Sequence, residues 1–336
     1  MKRGRSLPPL LALFQKRVEG DDALLELARL RFSEAGLGAE FYAETPEELG
    51  GLLAFRPPGL PAAAHLGRGL DLFSEEGRRL VLRFARAFRG EVMGLVVHDQ
   101  PEAGARLDEY VGVLRELERA LGDGGPLLFV EYAAHLDRRL YLEVFRRLGA
   151  GGRVGACVDA GHLGLRRVRE AFEERRPGED VFALSDERAE VVVDDLNQAV
   201  ASASAAVVEA VAAIGGTGRP IHLHLHDGHP LAGRLLGGLA DHHGFLETPA
   251  LPGGRALPMM FGLRGLRAIA AAALGVPAGV SMSLEVHDTG GRLPLRGGAG
   301  LFSRWTDLTN AERMNHWLDA LRKNHLLLLG ALGAGG

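Results

Sequence analysis

Residues 221–230 read Ile-His-Leu-His-Leu-His-Asp-Gly-His-Pro, in which histidine alternates with aliphatic residues. Because successive side chains of a strand point to opposite faces, this period predicts a strand with His222, His224 and His226 on one face. The Asp-Gly pair that follows predicts a turn. Histidine is the commonest metal ligand near neutral pH. The run therefore indicates a metal site at a strand end, and the alternatives are a polar barrel interior or an exposed strand face.

Five other apolar runs also end in ionisable residues. These residues are His65; His98 and Asp99; Glu131; Asp159 and His162; and Glu285, His287 and Asp288. A carboxylate at the end of a buried strand is costly unless it is paired or bound to a metal. Glu131 and Glu285 each follow a nearly pure apolar run, so we expect both in a metal or catalytic site. Cys157 is expected to be a small core residue.

The elements that must position these residues are short apolar runs that alternate with amphipathic stretches. Eight strands are predicted, at Leu10–Phe14, Ala39–Ala43, Ala62–Leu66, Val92–His98, Leu127–Tyr132, Val154–Asp159, Ile221–Asp227 and Val280–His287. Helices are predicted at about 23–33, after the N-caps Thr45 and Ser74, and at about 107–121, 138–148, 165–174, 265–274 and 309–329. This alternation predicts a (β/α)8 TIM barrel, in which active sites gather at the carboxyl ends of the strands.

We expect a single barrel domain over residues 1–336, with its core at about 8–330. A doubly wound sheet is the alternative, but no Gly-rich phosphate turn follows the first strand. Two segments exceed a compact barrel. One is a long helix predicted at Ser185–Ile214, before the seventh strand, and the other is the Gly- and Pro-rich loop His229–Phe261 after it. The loop either covers the site or forms an oligomer contact.

Composition excludes some classes of protein. The chain is 46% hydrophobic and 24% charged, with a net charge of −4 and one cysteine. A disulfide framework is therefore excluded, and a cytoplasmic location is expected. The acidic balance argues against nucleic acid as the partner. Residues 7–14 predict a first strand rather than a signal peptide, and we see no apolar run long enough for a membrane span.

Taken together, the motifs resemble those of the xylose isomerase-like barrel superfamily, which includes sugar-phosphate isomerases and epimerases and type-IV AP endonucleases. The resemblance covers about residues 60–290. It is carried by Val130-Glu131, Cys157 to His162, His224-Leu225-His226-Asp227, Asp241-His242-His243 and Leu284-Glu285.

The epimerase-like branch implies one divalent ion, bound by Glu131, Asp159, His224 and Glu285. It also implies that the two glutamates act as an acid/base pair through an enediolate, and that His162 holds a substrate oxygen. That branch has an arginine shortly after the ligand histidine; here the nearest is Arg234. His226 and Arg68 are expected to touch substrate at the rim.

The endonuclease branch implies up to three zinc ions. Its nine ligands would be His65, His98, Glu131, Asp159, His162, His224, Asp241, His243 and Glu285. The residues that this branch uses to wedge DNA are absent, because the segment after His65 reads Leu-Gly-Arg-Gly.

Residues 296–305 are rich in glycine and end with Arg304 and a tryptophan, so they are a candidate phosphate or carboxylate site after the eighth strand. The favoured hypothesis is a metal-dependent isomerase or epimerase of a sugar, sugar phosphate or polyol, with zinc or manganese as cofactor. The alternatives are a zinc phosphoesterase and a metal-binding barrel without catalysis. The sequence leaves a homo-oligomer open.

Overall fold

A computed structural model describes residues 7–14, 22–236, 239–287 and 310–333. Eight parallel strands form a closed barrel in chain order, and the eighth strand pairs with the first. The strands are β1 (Leu10–Leu13), β2 (Gly38–Ala43), β3 (Ala62–Leu66), β4 (Gly94–His98), β5 (Leu127–Glu131), β6 (Val154–Asp159), β7 (Ile221–Leu225) and β8 (Val280–Leu284). The predicted (β/α)8 barrel is confirmed, and every predicted strand is present within a few residues of its expected ends.

The strands are buried on both faces, as expected when helices cover a parallel barrel. Their outward side chains join the helices in one large apolar cluster. Inside the barrel, Val96, Phe129 and Cys157 form a second, small cluster. Cys157 is therefore a core residue, as predicted, and burial raises the pKa of its thiol.

The helices follow the predicted order. They are α1 (Asp22–Ala35), α2 (Pro46–Leu53), α3 (Glu75–Ala87), α4 (Leu107–Leu121), α5 (Arg138–Leu148), α6 (Ala160–Arg175), α7 (Asp186–Val191), α8 (Val193–Ala201), α9 (Ala203–Gly215), α10 (Ala232–Leu235), α11 (Gly262–Leu274) and α12 (Asn310–Ala331). The predicted caps are confirmed, since Thr45 accepts the N–H of Glu48 and Ser74 accepts the N–H of Gly77. These side chains satisfy N–H groups that the first helical turn leaves free.

The long helical segment predicted at Ser185–Ile214 is present, and Ser185 is its N-cap as expected. It is not continuous, because Val192 and Ser202 divide it into α7, α8 and α9. One reason for the break is Ser202, whose hydroxyl donates to the carbonyl of Ala199 at 2.6 Å and competes with the helical backbone. The stretch Val193–Gly215 is long and apolar enough to cross a membrane, contrary to the expectation from the sequence, and half of it is buried inside the protein.

The amino end of the barrel is held by a buried arginine. The guanidinium of Arg219 donates to Glu118 at 2.9 Å and to the carbonyl oxygens of Leu148, Gly149 and Val154. A buried charge is tolerated only when it is paired and hydrogen-bonded in this way. The contacts of Arg219 thus stabilise the amino end of the barrel. The ionisable residues predicted to form the site lie at the opposite, carboxyl end.

The long loop after β7 is present and is anchored at both ends. The carboxylate of Asp227 accepts the N–H groups of Gly228, Phe261 and Gly262. The backbones of Asp227 and His243 form an antiparallel bridge, with N–O distances of 2.8 and 3.0 Å. These contacts fold residues 240–243 back over the carboxyl end of the barrel.

Candidate metal centre

Four of the predicted ligands converge at the carboxyl end of the barrel. Glu131, Asp159, His224 and Glu285 each place one ligand atom within 4.8 Å of the others, and all four residues are buried. His224 Nδ1 lies 3.5 Å from Glu131 Oε1, 3.3 Å from Glu285 Oε2 and 4.0 Å from Asp159 Oδ2. The strand ends therefore bring together the group that the sequence indicated.

The chemistry of this group fits a divalent cation. Within the described residues, His224 Nδ1 and Glu285 Oε2 are buried and have no hydrogen-bond partner. Such atoms are costly to bury unless something binds them. Three carboxylates packed around one imidazole nitrogen also concentrate negative charge. A mixed set of carboxylate and imidazole ligands suits zinc, manganese and similar ions.

A second group of ionisable side chains also includes Glu131. Its Oε2 lies 2.6 Å from His65 Nε2 and 3.2 Å from His98 Nε2. His65 Nδ1 faces the carbonyl of Leu66 at 3.1 Å, and a carbonyl can only accept, so Nδ1 carries a proton. Burial lowers the pKa of His65, but the charge of Glu131 raises it, and the net direction is upward. Glu131 can thus bridge two positions, one at each oxygen.

A third group is built from His162, Asp241 and His242. His162 Nε2 lies 3.3 Å from Asp241 Oδ2, and Asp241 Oδ1 lies 2.5 Å from His242 Nδ1. The other ring nitrogen of His242, Nε2, lies 2.9 Å from Glu285 Oε1. This group links the long loop to the four-residue group through Glu285.

His243, predicted as a ligand if the site holds several ions, points away from these groups, and its neighbour His242 faces them instead. The His243 ring faces Glu247 at 2.8 Å and the carbonyl of Leu239 at 2.8 Å. His242 has a φ of 65°, which is rare for a residue other than glycine. At this left-handed residue the chain turns, so the His242 ring points to Glu285 and the His243 ring to Glu247. The sequence could not show which of the two histidines faces the barrel.

His226, which was expected to touch substrate at the rim, lies inside the barrel and contacts Asp159 and His242. It is fully buried, and its Nδ1 accepts the backbone N–H of His242 at 2.8 Å. The proton is therefore on Nε2, which faces the two oxygens of Asp159 at 3.0 and 3.1 Å. The ring is also stacked on His242, with centroids 4.3 Å apart. Neither nitrogen of His226 is left for a substrate.

Gly161 is the residue that allows this packing. A Cβ at Gly161 would lie 1.9 Å from the His226 ring. We expect Gly161→Ala to displace His226, and through it Asp159, and so to weaken metal binding by about 10- to 100-fold. Zinc affinity, measured by competition with a chelator, tests this. Gly112→Ala is the matched control, since a Cβ at this position in α4 has open space around it and should leave the affinity unchanged. Equal affinities for the two variants would contradict the account.

Sequence reasoning missed Glu40. This residue of β2 is fully buried, and its carboxylate faces His222 and His224 at 2.9 and 3.0 Å. A signal was available, because Glu40 is the one charged residue within the otherwise uncharged β2 run Gly-Ala-Glu-Phe-Tyr-Ala. We expected functional charges at strand ends and not in the strand interior.

A cavity of about 740 Å³ lies next to the candidate metal centre, although none of the four candidate ligands is among its lining residues. Its wall includes Tyr42, whose hydroxyl lies 3.3 Å from Glu285 Oε1, and the exposed Arg68. Apolar side chains such as Leu80 and Phe84 line another part of it. Arg68, which was predicted to bind substrate, lines this cavity. Arg304 and the glycine-rich segment 296–305 lie outside the described residues.

Comparisons with known proteins bear on the fold. No protein-family model matches the chain, and no curated protein matches it. A D-psicose 3-epimerase from Clostridium cellulolyticum H10, in a crystal structure with D-tagatose, has a TM-score of 0.50 at 9% identity, over 96% of this chain and 99% of that chain.

Two further solved structures have lower TM-scores. Endonuclease IV from Thermus thermophilus has a TM-score of 0.43 at 16% identity, over 94% of this chain and 100% of that chain. A xylose isomerase domain protein from Planctomyces limnophilus has 0.45 at 11% identity, over 84% and 91% of the two chains. At such identities a likeness shows the fold alone. The fold shown is a (β/α)8 TIM barrel, as in the D-psicose 3-epimerase structure.

Proposed function

We propose that this protein is a divalent-metal-dependent isomerase or epimerase that acts on a sugar, a sugar phosphate or a related polyol. The observation that carries the proposal is the buried group of Glu131, Asp159, His224 and Glu285, with an imidazole nitrogen and a carboxylate oxygen that have no partner among the described residues. The cavity beside the group has a size that suits a small-molecule ligand. Its mixed polar and apolar wall gives a polyol both hydrogen-bonding groups and packing surface.

A divalent ion held by these four residues would supply Lewis-acid polarisation of a substrate carbonyl and stabilise the charge of an enediolate. Zinc and manganese are the ions we propose. The remaining chemistry is proton transfer, and it falls to the side chains of the protein.

Glu131 and Glu285 are placed to act as the acid/base pair. They end β5 and follow β8, so they approach the centre from different sides of the barrel. One group, as the carboxylate, removes the proton next to the carbonyl; the other, protonated at the start of the step, delivers its own proton to the opposite face or to the neighbouring carbon and is left as the carboxylate. Burial would raise the pKa of both groups. The charge of His65 and its hydrogen bond to Glu131, and the charge of His242 beside Glu285, instead hold both pKa values well below the ordinary range.

Two neighbours fix the orientation of Glu285. His242 Nε2 and the Tyr42 hydroxyl both contact Oε1, which leaves Oε2 facing the centre. On the other side, His162 is partly exposed, and its Nδ1 has no hydrogen-bond partner among the described residues. We propose that His162 holds a hydroxyl or carbonyl oxygen of the substrate.

Turnover in D2O tests the proposed function. Zinc- or manganese-loaded protein is incubated with a panel of ketoses, aldoses and their phosphates, and the products are examined by NMR and mass spectrometry. Proton transfer through a carboxylate that exchanges with solvent places deuterium on the carbon that changes. We expect such labelling for at least one sugar. Metal-loaded protein that labels no sugar in the panel would contradict the proposal and favour a binding role.

Phosphoester hydrolysis is the second candidate. It is favoured by the two further groups, His65 and His98 at Glu131, and His162, Asp241 and His242 at the loop. An isomerase that uses one ion does not need them, whereas two or three ions can clamp the attacking and leaving oxygens of a phosphoester. Cleavage of an abasic-site DNA oligonucleotide by the zinc-loaded protein would favour this second function.

A further inference from the structure

Glu40 lies inside the barrel, one layer below the metal centre. Its side chain has no exposed surface, and neither do those of His222 and His224. One oxygen, Oε1, faces His224 Nε2 at 3.0 Å. The other, Oε2, faces His222 Nε2 at 2.9 Å and also accepts the hydroxyl of Ser283. Every donor around this carboxylate therefore comes from β7 or β8.

These contacts determine where His224 carries its proton. An ionised carboxylate can only accept hydrogen bonds, so His224 Nε2 must be the donor. In a neutral imidazole the other nitrogen then carries a lone pair. That nitrogen, Nδ1, is the atom that faces Glu131, Asp159 and Glu285 and has no partner among the described residues. The Glu40 contact thus leaves His224 with its lone pair directed at the proposed ion.

The same carboxylate keeps His222 out of the metal centre. His222 Nε2 faces Glu40, and its Nδ1 lies 2.7 Å from the Ser281 hydroxyl. Both ring nitrogens are therefore occupied. Although one atom each of Glu40, His222 and His224 lie close enough to hold an ion, their hydrogen bonds to one another already satisfy them. This trio is a support for the ligand rather than a second metal site.

The Glu40 carboxylate is surrounded by hydrogen-bond donors from His222, His224 and Ser283. A negative charge behind a ligand imidazole makes its free nitrogen more basic and fixes the ring orientation. Removal of such partners usually costs about 10- to 100-fold in metal affinity.

We propose that Glu40 is a positioning residue that locks His224 in its metal-binding tautomer from inside the barrel. The inference rests on the metal site of the proposed function, but not on the identity of the substrate. Glu40 does not line the cavity and is not one of the four residues of the centre; its contact with the centre runs through His224.

Zinc affinity of a Glu40→Gln variant tests this role. The amide has nearly the same shape but no charge, and it offers an acceptor oxygen to only one side. We expect zinc binding, measured by competition with a chromophoric chelator, to weaken by about 10- to 100-fold while circular dichroism shows a folded protein. Glu116→Gln is the matched control, because it makes the same chemical change on the exposed face of α4, away from the metal centre. It should bind zinc within about twofold of the unaltered protein.

The possible outcomes separate this role from the proposed function. A folded Glu40→Gln protein with unaltered zinc affinity would overturn the role of Glu40 only, whereas an unaltered protein that binds no zinc would overturn the metal site itself. If Glu40→Gln does not fold, the ring-nitrogen NMR spectrum of the unaltered, zinc-loaded protein decides. A proton on His224 Nε2 and none on Nδ1 supports the role, and a proton on Nδ1 with none on Nε2 overturns it.

Discussion

Glu131→Gln is expected to lower turnover by about 10²- to 10⁴-fold at saturating metal, with the protein still folded. The amide keeps the shape of the side chain but can neither remove nor return a proton. It also weakens the contacts with His65 and His98, which face Glu131 Oε2 at 2.6 and 3.2 Å. The assay follows the sugar that becomes labelled in D2O, with metal raised until the rate no longer changes.

The control for this variant is Glu116→Gln, which makes the same chemical change on the exposed face of α4. It should leave both turnover and metal affinity unaltered. Wild-type turnover in Glu131→Gln would exclude Glu131 from the proton transfer. If added metal restores the turnover of Glu131→Gln to that of the unaltered protein, Glu131 is a ligand and not an acid or base.

The sequence predicted the fold well because the barrel repeats a simple local pattern. Each parallel strand is a short apolar run, and several helices begin at a recognisable cap such as Thr45 or Ser74. The helices of the segment before β7 were harder to predict. Its alanine- and valine-rich sequence fits one long helix, and the breaks at Val192 and Ser202 depend on how α8 and α9 pack around α6.

The candidate metal ligands that lie at strand ends could be predicted from the sequence. Glu131, Asp159, His224 and Glu285 each lie at or next to the carboxyl end of a strand, so chain topology alone brings them together. His226 also lies there, but its role depends on a contact with the backbone of His242, sixteen residues later. Such a contact leaves no trace in the local sequence.

Sequence reasoning failed for residues of the loop after β7 and for a residue in the interior of a strand. Whether His242 or His243 faces the barrel is decided by the bridge between Asp227 and His243 and by a left-handed backbone at His242. Glu40 was missed because an isolated carboxylate in the middle of a strand carries no motif. Only the three-dimensional structure shows that two histidines and a serine from β7 and β8 surround it.

Removal of the His224 imidazole is expected to abolish tight metal binding. His224 supplies the only nitrogen in the four-residue group, and its Nδ1 faces all three carboxylates. The suitable variant is His224→Gln, because an amide can still donate to Glu40, whereas its oxygen is a poorer zinc ligand than imidazole. The affinity should fall further than in Glu40→Gln. His316→Ala, on the exposed side of α12, is the matched control.

The central claim is that the carboxyl end of the barrel binds a divalent metal through Glu131, Asp159, His224 and Glu285. Elemental analysis of the purified protein and its His224→Gln variant, after dialysis against a weak chelator, tests it most directly. We predict about one zinc or manganese ion per chain in the unaltered protein and almost none in the variant. Two or three zinc ions per chain would support a metal site but favour phosphoester hydrolysis. An unaltered protein without metal, or a variant that retains the full amount, would contradict the claim.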